Sequence, residues 1–556
     1  MKEKLKIGIL LDNLNIHSWE FAIIESIIGS EFAKLSLVVL RGASNVKDTR
    51  EINTSVIYKL HNKLDEIISG EAKKNYVKKN IFPLLENIPL ITINPIIDGG
   101  NDTFQTDHCN NIRDYNLDAV INLGFYELKG MILNIPKYGI WSYYIGNSFG
   151  LNGKQGGYEE VVSESWITIT TLKIQNGTDK NEQVLYKAIG PTYAFSISIN
   201  RSNAYKRAGL ILPPLLKGIY EGGDSYLPEL IAKCAKKDNI LDQSSSKNNS
   251  SLGWLQFFLF HLRILLRKLV KKIIYTDSFN WFILFNLKNN NIFEKFPGSV
   301  NELIKLTPPH DKFWADPFVV SHNDKFYIFV EELPFKTMKG HISVIELNSK
   351  GEMQYFKPIL EKPYHLSYPF VFEFNDSIYM VPETGNNNTI ELYRCVNFPD
   401  EWEFVMNLMD NIKAKDTTLF YYKDKWWLFT SIHKSTIKPE YSELSLFYSD
   451  DLMSCNWNAH PCNPIVSDIR TARCAGKIFL SDENIFRPSQ DGSGRYGRAL
   501  NLNQITVLSE TKYEEILVSK VEAIELDKTY KGVHTFNFEN NFSVMDAYTY
   551  RNRLSF

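Results

Sequence analysis

Cysteine is scarce in this chain and is spread along its length. The 556 residues include six cysteines, Cys109, Cys234, Cys395, Cys455, Cys462 and Cys474. So few cysteines in so long a chain exclude a small secreted domain that is held together by disulfides. Because no two of them form a Cys-x-x-Cys pair, the sequence also argues against a zinc ribbon or a redox dithiol.

Excess charge of one sign and long apolar runs are also lacking. The 62 basic and 64 acidic residues leave a net charge of -2, which gives no general attraction to nucleic acid. No stretch approaches the ~20 apolar residues of a membrane-spanning helix. The apolar run Ile7–Leu11 is too short for a secretory leader and is typical of a buried strand. These absences predict a cytoplasmic protein without a nucleic-acid partner.

What the chain does have is ample material for more than one core, since 44% of its residues are hydrophobic. Its length predicts a multidomain protein. We expect an α/β domain over 1–230, a linker over 231–252, a basic amphipathic helix with its connector over 253–300, and an all-β domain over 301–556. The polar stretch DQSSSKNNSS at 242–251 marks the main boundary.

The first domain alternates short apolar runs with helical patterns. Apolar strands are predicted at 7–11, 35–40, 90–93 and 119–124, and helices are predicted over Trp19–Gly29 and Val56–Ile68. Strands with continuous apolar runs between helices are typical of a parallel sheet that is buried on both faces. The pattern therefore predicts a Rossmann-like α/β fold.

The segment Trp254–Ile274 combines apolar and basic residues. Its basic residues, Arg263, Arg267, Lys268, Lys271 and Lys272, share roughly half of a helical wheel. Such a helix suits the surface of a membrane, and it equally suits a connector that packs on a domain. The first interpretation places the protein peripherally at the inner face of the membrane.

The last 250 or so residues repeat a pattern of apolar strand, polar turn and aromatic strand. ADPFVVSHNDKFYIFVEE (315–332) aligns with SYPFVFEFNDSIYMVPET (367–384) and with KDTTLFYYKDKWWLFTS (415–431). Weaker copies follow at 475–490 and 534–548. Five copies of this kind predict a five-bladed β-propeller, and a long β-sandwich is the alternative.

Carboxylates at matching places in these copies are the candidate catalytic residues. Asp316 and Asp416 head the first and third copies in the same register, where the second copy has Tyr368. Two converging carboxylates suit acid–base chemistry on a sugar, although each Asp also suits a turn cap. Glu383, within VPET, is a further candidate acid, with a rim salt bridge as the alternative.

Arginine is concentrated in one short segment. Five of the 15 arginines, Arg470, Arg473, Arg487, Arg495 and Arg498, fall within 29 residues. A local choice of Arg in a chain that otherwise prefers Lys indicates recognition of phosphate or carboxylate, with solvated surface arginines as the alternative. The predicted substrate-binding residues are Arg473, Arg487, Gln490, Tyr496, Arg498 and His534. No metal site is predicted.

Two resemblances bear on the repeat region. ADPF with a second Asp in the third copy resembles the propeller glycoside hydrolases of the arabinanase and xylosidase kind, which implies that Asp316 is a base and Asp416 a modulator. The Glu that this group has at the head of the fourth copy is replaced within ARCAG (472–476). FWADPF, FVEE, VPET, RPSQD, YGRALNLNQI and GVHTFN resemble more closely the N-terminal module of plant glucosamine inositolphosphorylceramide transferase.

The first domain resembles the formyltransferase fold in DAVINLGF, GIWSYYIGNS and GKQGGYEEVVSESWITITTLKI. Such enzymes use an Asn and a His in a loop and a downstream Asp. The resemblance places Ser142 where the Asn is expected and Tyr144 where the His is expected, with Asp179 as the downstream acid. A Tyr, with an ordinary pKa near 10, is a poor proton shuttle at neutral pH. The resemblance therefore implies a degenerate formyltransferase domain.

Three functions remain open from the sequence, and it favours a transferase that acts on sugars. The first is a sugar-active, glycosyltransferase-like protein of surface-polysaccharide or glycolipid biosynthesis, with a sugar nucleotide or lipid-linked sugar as partner. The second is a sugar-nucleotide N-formyltransferase with a carbohydrate-binding propeller, and this one alone requires a formyl-folate cofactor. The third is a non-catalytic glycan-binding or assembly protein. Apart from the second case, the cofactor is left unknown.

Overall fold

The computed structural model divides the chain into two compact units, Met1–Leu265 and Leu266–Phe556. The residues it describes are 2–42, 63–65, 77–98, 101–146, 148–149, 156–177, 182–241, 262–263, 266, 275–287, 303–432, 442–539 and 542–552. Asp179, the polar stretch 242–251 and nearly all of Val56–Ile68 and Trp254–Ile274 lie outside the described residues. None of the helices formed by the described residues has the length and apolar character that a membrane crossing requires.

The first unit alternates strands and helices. Its strands are β1 Leu5–Leu11, β2 Asn15–His17, β3 Ala33–Arg41, β4 Lys78–Asn80, β5 Leu90–Ile93, β6 Ile96–Asp98, β7 Asn101–Thr103, β8 Ala119–Asn122, β9 Glu127–Lys129, β10 Ile140–Ile145, β11 Ser148–Phe149, β12 Ile167–Gln175 and β13 Gln183–Pro191. Its helices are Ser18–Ile28, Thr106–Arg113, Tyr158–Val162, Ile197–Gly222 and Tyr226–Leu241, with 3-10 turns at Phe82–Leu85, Met131–Asn134 and Gly223–Ser225. The helix Tyr226–Leu241 extends into the segment that was predicted to be a linker.

The main sheet of this unit has the order β13-β12-β10-β8-β1-β3-β5. The five strands from β10 to β5 run parallel, and β12 and β13 add an antiparallel edge. The helices Ser18–Ile28 and Ile197–Gly222 pack on one face, and the helix Thr106–Arg113 packs on the other. Burial on both faces explains why these strands are continuously apolar, and the predicted parallel α/β sheet is confirmed.

The second unit is built almost wholly from strands. They are β14 Tyr275–Asn286, β15 Ile304–Leu306, β16 Lys312–His322, β17 Lys325–Pro334, β18 His341–Leu347, β19 Met353–Leu360, β20 Ser367–Phe374, β21 Ser377–Glu383, β22 Thr389–Asn397, β23 Glu401–Asp410, β24 Ala414–Tyr422, β25 Lys425–Ile432, β26 Ser445–Ser449, β27 Asn458–Ala459, β28 Arg473–Cys474, β29 Phe479–Ser481, β30 Asn484–Asp491, β31 Ala499–Leu508, β32 Tyr513–Glu522, β33 Phe536–Glu539 and β34 Phe542–Asn552. A 3-10 turn at Gly385–Asn387 and a short helix at Ala523–Leu526 complete it.

Among the described residues these strands form five antiparallel sheets, here named S1 to S5. S1 has the order β15-β14-β34-β33, S2 contains β16 to β19, S3 contains β20 to β23, S4 contains β24 to β27, and S5 contains β28 to β32. S1 therefore joins strands from the two ends of the unit. Its strand Tyr275–Asn286 was predicted to be part of a connector; it forms a strand because β34, remote in sequence, pairs with it.

The repeats seen in the sequence are hairpins with a common turn. Both central residues of the turn have positive φ in four sheets, at Asn323-Asp324, Asn375-Asp376, Lys423-Asp424 and Asp482-Glu483. Two successive residues with positive φ characterise the type I′ turn, whose twist matches that of the strands it joins. Asn and Asp tolerate this conformation better than most residues, which accounts for the polar turns in the repeat.

Candidate functional site

A left-handed residue interrupts the first strand in each of S2, S3 and S4. Asp316, Tyr368 and Asp416 have φ values of 52°, 43° and 49°. Each lies where the pairing of the first two strands shifts register. The three residues thus occupy equivalent positions, as the repeat alignment predicted. Because a non-glycine residue at positive φ costs energy, such positions are often tied to function.

In S2, S3 and S4, the residue just before the left-handed one pairs with a residue near the end of the second strand, and S5 has a corresponding pair. These pairs are Ala315 with Glu331, Ser367 with Glu383, Lys415 with Ser431, and, in S5, Arg473 with Gln490. Equivalent positions in successive sheets therefore carry carboxylates, an amide and two cations. These side chains, the left-handed Asp316 and Asp416, and the polar side chains that contact them form one group, here called the polar cluster. Its described members are Asp316, Glu331, His365, Glu383, Lys415, Asp416, Arg473, Gln490, Tyr496, His534 and Asp546.

Asp316 is a carboxyl of the polar cluster that is almost wholly buried. It is only 5% exposed, and its oxygens accept hydrogen bonds from Thr535 Oγ1 at 2.8 Å and from the Tyr368 backbone N–H at 3.2 Å. Burial raises the pKa of Asp316 to about 7; nearby His534 opposes the rise, and the neighbouring carboxylates add to it. The group therefore gains and loses a proton near neutral pH, as a general base or acid must.

His534 lies between two carboxylates. Its Nδ1 is 2.5 Å from Asp546 Oδ2, and its Nε2 is 3.6 Å from Asp316 Oδ1. Its ring stacks on Trp281, with centroids 3.9 Å apart, and meets the Tyr496 ring edge-on at 5.3 Å. Burial alone lowers the pKa of His534, but Asp546 and Asp316 outweigh it and hold this pKa above its ordinary value.

Asp316, His534 and Asp546 also have three ligand atoms within 4.8 Å of one another. A cation at this spot needs free lone pairs from all three. The oxygens of Asp546 already accept four contacts, from the backbone N–H groups of His534, Thr535 and Asp316 and from the His534 ring. The donor set therefore fits a hydrogen-bonded trio better than a metal site.

The other half of the polar cluster is built from ion pairs. Arg473 binds Asp416, which also accepts a hydrogen bond from Gln490 Nε2 at 3.2 Å. Lys415 binds Glu383, and His365 Nε2 lies 3.2 Å from Glu331. Burial raises the pKa of Glu383, although Lys415 opposes the rise. Most of the charge of this half is compensated internally.

The polar cluster reaches solvent on one side. Tyr496 is 38% exposed, and the side chains of His365 and Lys415 are 25% and 23% exposed. The Arg473 guanidinium lies 5.2 Å from the centre of the Tyr496 ring. An exposed aromatic ring beside hydrogen-bonding groups is the type of surface that contacts the apolar face of a ring-shaped ligand while the polar groups orient it.

The structure separates two predicted arginines from this arrangement. Arg487 has no exposed side-chain surface; it binds Glu515 at 2.8 Å and donates to the Thr471 carbonyl at 2.7 Å. Arg498 binds Glu522 at 2.8 Å and lies 3.6 Å from Asp491. These are the contacts of structural ion pairs, and we do not include either arginine in the polar cluster.

Sequence reasoning did not identify four residues that complete the site. These are Trp281, His365, Lys415 and Asp546. Asp546 had only a weak signal, because FSVMDAY beside FYIFVEE and IYMVPET sets it opposite Val330 and Pro382, one residue before Glu331 and Glu383. Trp281 had none, since it belongs to β14, outside the repeats.

The predicted formyltransferase positions lie together on β10 in the first unit. Ser142 is buried and its Oγ is 3.4 Å from Asn122 Nδ2. The Tyr144 hydroxyl donates to Glu182, which also binds Lys173 at 3.0 Å. Burial, followed by the hydrogen bond to Glu182, raises the pKa of Tyr144 far above its ordinary value. Asp179 lies outside the described residues.

With this geometry in place, comparison with known proteins finds matches to part of the chain. Residues 303–549 match the family described as "Glucosamine inositolphosphorylceramide transferase 1, N-terminal". Proteins named glucosamine inositolphosphorylceramide transferase 1 from Oryza sativa subsp. japonica and Arabidopsis thaliana are 34% and 33% identical over 228 and 230 residues, or 40% of this chain. The match spans only 30% and 29% of those relatives, so their name describes much longer proteins.

Solved structures offer weaker likenesses. A family 117 glycoside hydrolase of Zobellia galactanivorans is 12% identical, with 48% of this chain and 90% of that chain covered and a TM-score of 0.32. A glycinamide ribonucleotide transformylase of Symbiobacterium toebii is 12% identical, with 39% and 89% covered and a TM-score of 0.26. TM-scores this low do not by themselves establish a shared fold. The transferase N-terminal family therefore remains the informative match, and it covers S2 to S5 and, within S1, β15, β33 and most of β34.

Proposed function

We propose that S1 to S5 close into a five-bladed propeller whose axis passes through the polar cluster. Contacts between every pair of successive sheets, including S5 with S1, support this architecture. They are Asp316 N–H with Asp546, Tyr368 N–H with Asp316, Tyr368 Oη with Thr418, Arg473 with Asp416, and Lys477 N–H with Asn537. Propellers bind ligands on the axis, where the innermost strands converge.

We propose that this unit is the sugar-active module of a protein of glycolipid or surface-polysaccharide biosynthesis. The observation that carries the proposal is that Asp316, a buried carboxyl with a pKa near 7, and the exposed ring of Tyr496 both lie close to His534. This combination provides a proton acceptor beside a surface for a sugar ring. The match to the transferase N-terminal family supports the same substrate class.

In the proposed chemistry, Asp316 accepts a proton from a sugar hydroxyl. Tyr496 contacts the ring of the sugar, and Gln490 and the Lys415–Glu383 pair lie where they can bind further hydroxyls. Each described arginine of 470–498 already has a polar partner. The polar cluster therefore favours an uncharged sugar group over a phosphate, which differs from the prediction that the arginines hold donor phosphates.

We propose further that the first unit binds or scaffolds without transferring formyl groups. A formyltransferase needs a side chain that exchanges a proton near neutral pH at the position of Tyr144. Here the phenol is locked to Glu182 and its pKa is raised. Saturable binding of formyl-tetrahydrofolate to the full chain, weakened by Tyr144→Phe, would contradict this and favour the N-formyltransferase hypothesis.

A peripheral location at the inner face of a membrane is part of the proposal. It rests on the basic and apolar composition of Trp254–Ile274, a segment whose side chains lie almost wholly outside the described residues. Co-sedimentation of the full chain with vesicles containing phosphatidylserine, reduced in Lys271→Glu/Lys272→Glu, is the expected result. Equal sedimentation with neutral vesicles would contradict an electrostatic attraction.

The test of the sugar-active module is ligand binding by the full chain. We would measure thermal shift and calorimetry with a panel of monosaccharides and uridine-diphosphate sugars. Saturable binding that weakens at least tenfold in Tyr496→Ala and Asp316→Asn is expected. Tyr421→Ala is the matched control, because Tyr421 is an exposed tyrosine at the opposite end of the strand from Asp416. Equal loss in the control variant, or no binding of any sugar, would refute the proposal.

A further inference from the structure

Asp546 is fixed more completely than any other carboxylate of the polar cluster. It has no exposed surface. Its Oδ1 accepts the backbone N–H groups of His534 and Thr535, both at 2.9 Å, and its Oδ2 accepts the Asp316 N–H at 2.9 Å and the His534 ring at 2.5 Å. Three of these donors are backbone groups, so the carboxylate cannot rotate without breaking the junction between S1 and S2.

This arrangement decides which nitrogen of His534 carries a permanent proton. A carboxylate accepts hydrogen bonds, so the contact at Asp546 Oδ2 requires Nδ1–H. Nε2 is then the nitrogen that exchanges its proton, and it faces Asp316 Oδ1 at 3.6 Å. The ring has little freedom to turn away, because Trp281 stacks on it with an interplanar angle of 17° and Tyr496 closes its edge.

We propose that Asp546 and His534 are positioning residues for Asp316. Asp546 holds the His534 ring with Nε2 towards Asp316, and His534 takes up the proton that Asp316 removes from a sugar hydroxyl. This inference rests on the proposed sugar-active function, and it adds to it a proton path that leads from the substrate into S1.

The acceptor hydroxyl loses its proton to Asp316 while its oxygen bonds to the anomeric carbon of a glycosyl donor, whose leaving group departs with the bonding pair. The proton then passes from Asp316 to His534 Nε2, once the two atoms approach to about 2.8 Å. The resulting imidazolium lies against the Asp546 carboxylate. Proton loss from His534 to the leaving group or to solvent restores the site.

The surrounding charges favour such a transfer. His534 faces Asp546, Asp316 and Arg473; the two carboxylates raise its pKa and the arginine opposes them. Glu331, Asp416 and Asp546 all disfavour a charged Asp316. Holding a proton on either member of the Asp316–His534 pair reduces repulsion among these acids. The pair can therefore store one proton at neutral pH.

The experiment is histidine NMR on the full chain, with ring-labelled histidine in a deuterated background. Signals of His534 are assigned by their loss in His534→Gln. In the wild type we expect the Nδ1–H tautomer and a pKa above the ordinary value of about 6.5. Asp546→Asn is expected to change the tautomer and lower this pKa by ~1 unit or more. The wild-type tautomer does not depend on the Asp546→Asn variant, so it decides the proposal even if that variant fails to fold.

Asp491→Asn is the matched control. Asp491 is also buried and hydrogen-bonded, but it pairs with Lys520 in S5. We expect this variant to lose stability and to leave the His534 signals unchanged, which separates positioning from a general structural effect. An Nε2–H tautomer in the wild type, an unchanged His534 in Asp546→Asn, or stoichiometric metal whose removal by EDTA shifts the His534 signals would overturn the proposal.

The NMR result and the sugar-binding result are independent. If His534 behaves as expected and no sugar binds, the sugar-active function fails while the coupled trio remains. If sugars bind and His534 has the other tautomer, the function stands and this inference fails.

Discussion

Arg473 and Asp416 form an ion pair that joins S5 to S4. Besides the closest contact through Nε, Arg473 Nη2 lies 3.3 Å from Asp416 Oδ1. Asp416 is only 1% exposed, so its charge depends on this partner. The same Asp was predicted from the repeat, and the same Arg from the arginine cluster, as two separate sites. The structure shows them as one pair between adjacent sheets.

Removing the arginine from this pair is expected to destabilise the second unit strongly. Arg473→Met leaves a buried carboxylate without a counter-ion, which costs about 3–5 kcal/mol in comparable cases. The double variant Arg473→Met/Asp416→Leu should recover part of this loss, because it leaves no charge unpaired. Chemical denaturation of the full chain measures the free energy of unfolding of the single and the double variant. A single variant as stable as the wild type would show that the pair is not needed for folding.

The stability of the second unit should fall as the pH rises from about 4 to above 7. Burial raises the pKa of Asp316 to about 7, so its contribution is complete below the unfolded value near 3.8 and is lost as pH rises through 7. His534, whose pKa is also raised, acts in the same direction above pH 6.5. In Asp316→Asn the free energy of unfolding should depend less steeply on pH. The slope should fall by the equivalent of up to about one proton, which is ~1.4 kcal/mol per pH unit. Melting temperatures of the wild type and of Asp316→Asn between pH 4 and 8.5 test this. Equal slopes of melting temperature against pH in the two proteins would contradict it.

Arg487 should matter for stability and not for ligand binding. Its guanidinium is fully buried against Glu515, so Arg487→Ala leaves that carboxylate without its counter-ion and opens a cavity. We expect a loss of about 3 kcal/mol or more in the free energy of unfolding. Sugar affinity, measured at a temperature where the variant is folded, should change less than twofold. A selective loss of affinity would return Arg487 to the binding site.

The strand β14 should decide how far the second unit can be shortened. A fragment covering 266–556 keeps all four strands of S1, whereas 303–556 lacks β14 and exposes the edges of β15 and β34. We expect a cooperative thermal transition from the longer fragment and aggregation or a much lower melting temperature from the shorter one. Equal melting temperatures of the two fragments would show that β14 is dispensable.

Much of this architecture was predictable because it depends on local signals. Alternating apolar residues and Asn-Asp turns specify a hairpin without reference to the rest of the chain. The parallel sheet of the first unit was predictable for a similar reason, since its strands are continuously apolar and alternate with helices. The equivalence of Asp316 and Asp416 followed from the same repeat, because equal spacing from a turn gives equal register.

What escaped prediction depends on pairing between distant segments. Nothing near Tyr275–Asn286 indicates that its partner is β34, at the other end of the unit. His534 was identified as a candidate, but its relation to Asp546 was not, because the weak fifth copy that contains both has no carboxylate at the positions of Glu331 and Glu383. Arg487 was predicted to bind substrate because sequence does not distinguish a guanidinium that faces a ligand from one that faces Glu515 on a neighbouring strand.

The pairing of β14 with β34 has a consequence for synthesis of the protein. The residues of β14 leave the ribosome first among the strands of this unit, and those of β34 leave last. At about 5–20 residues per second, β14 waits on the order of tens of seconds for its partner. During this time the edge of its WFILF stretch that pairs with β34 has no partner, and an apolar strand edge left open in this way is prone to aggregation unless a chaperone covers it. Slower elongation or scarce chaperones should therefore lower the yield of native protein more than they lower its stability once formed.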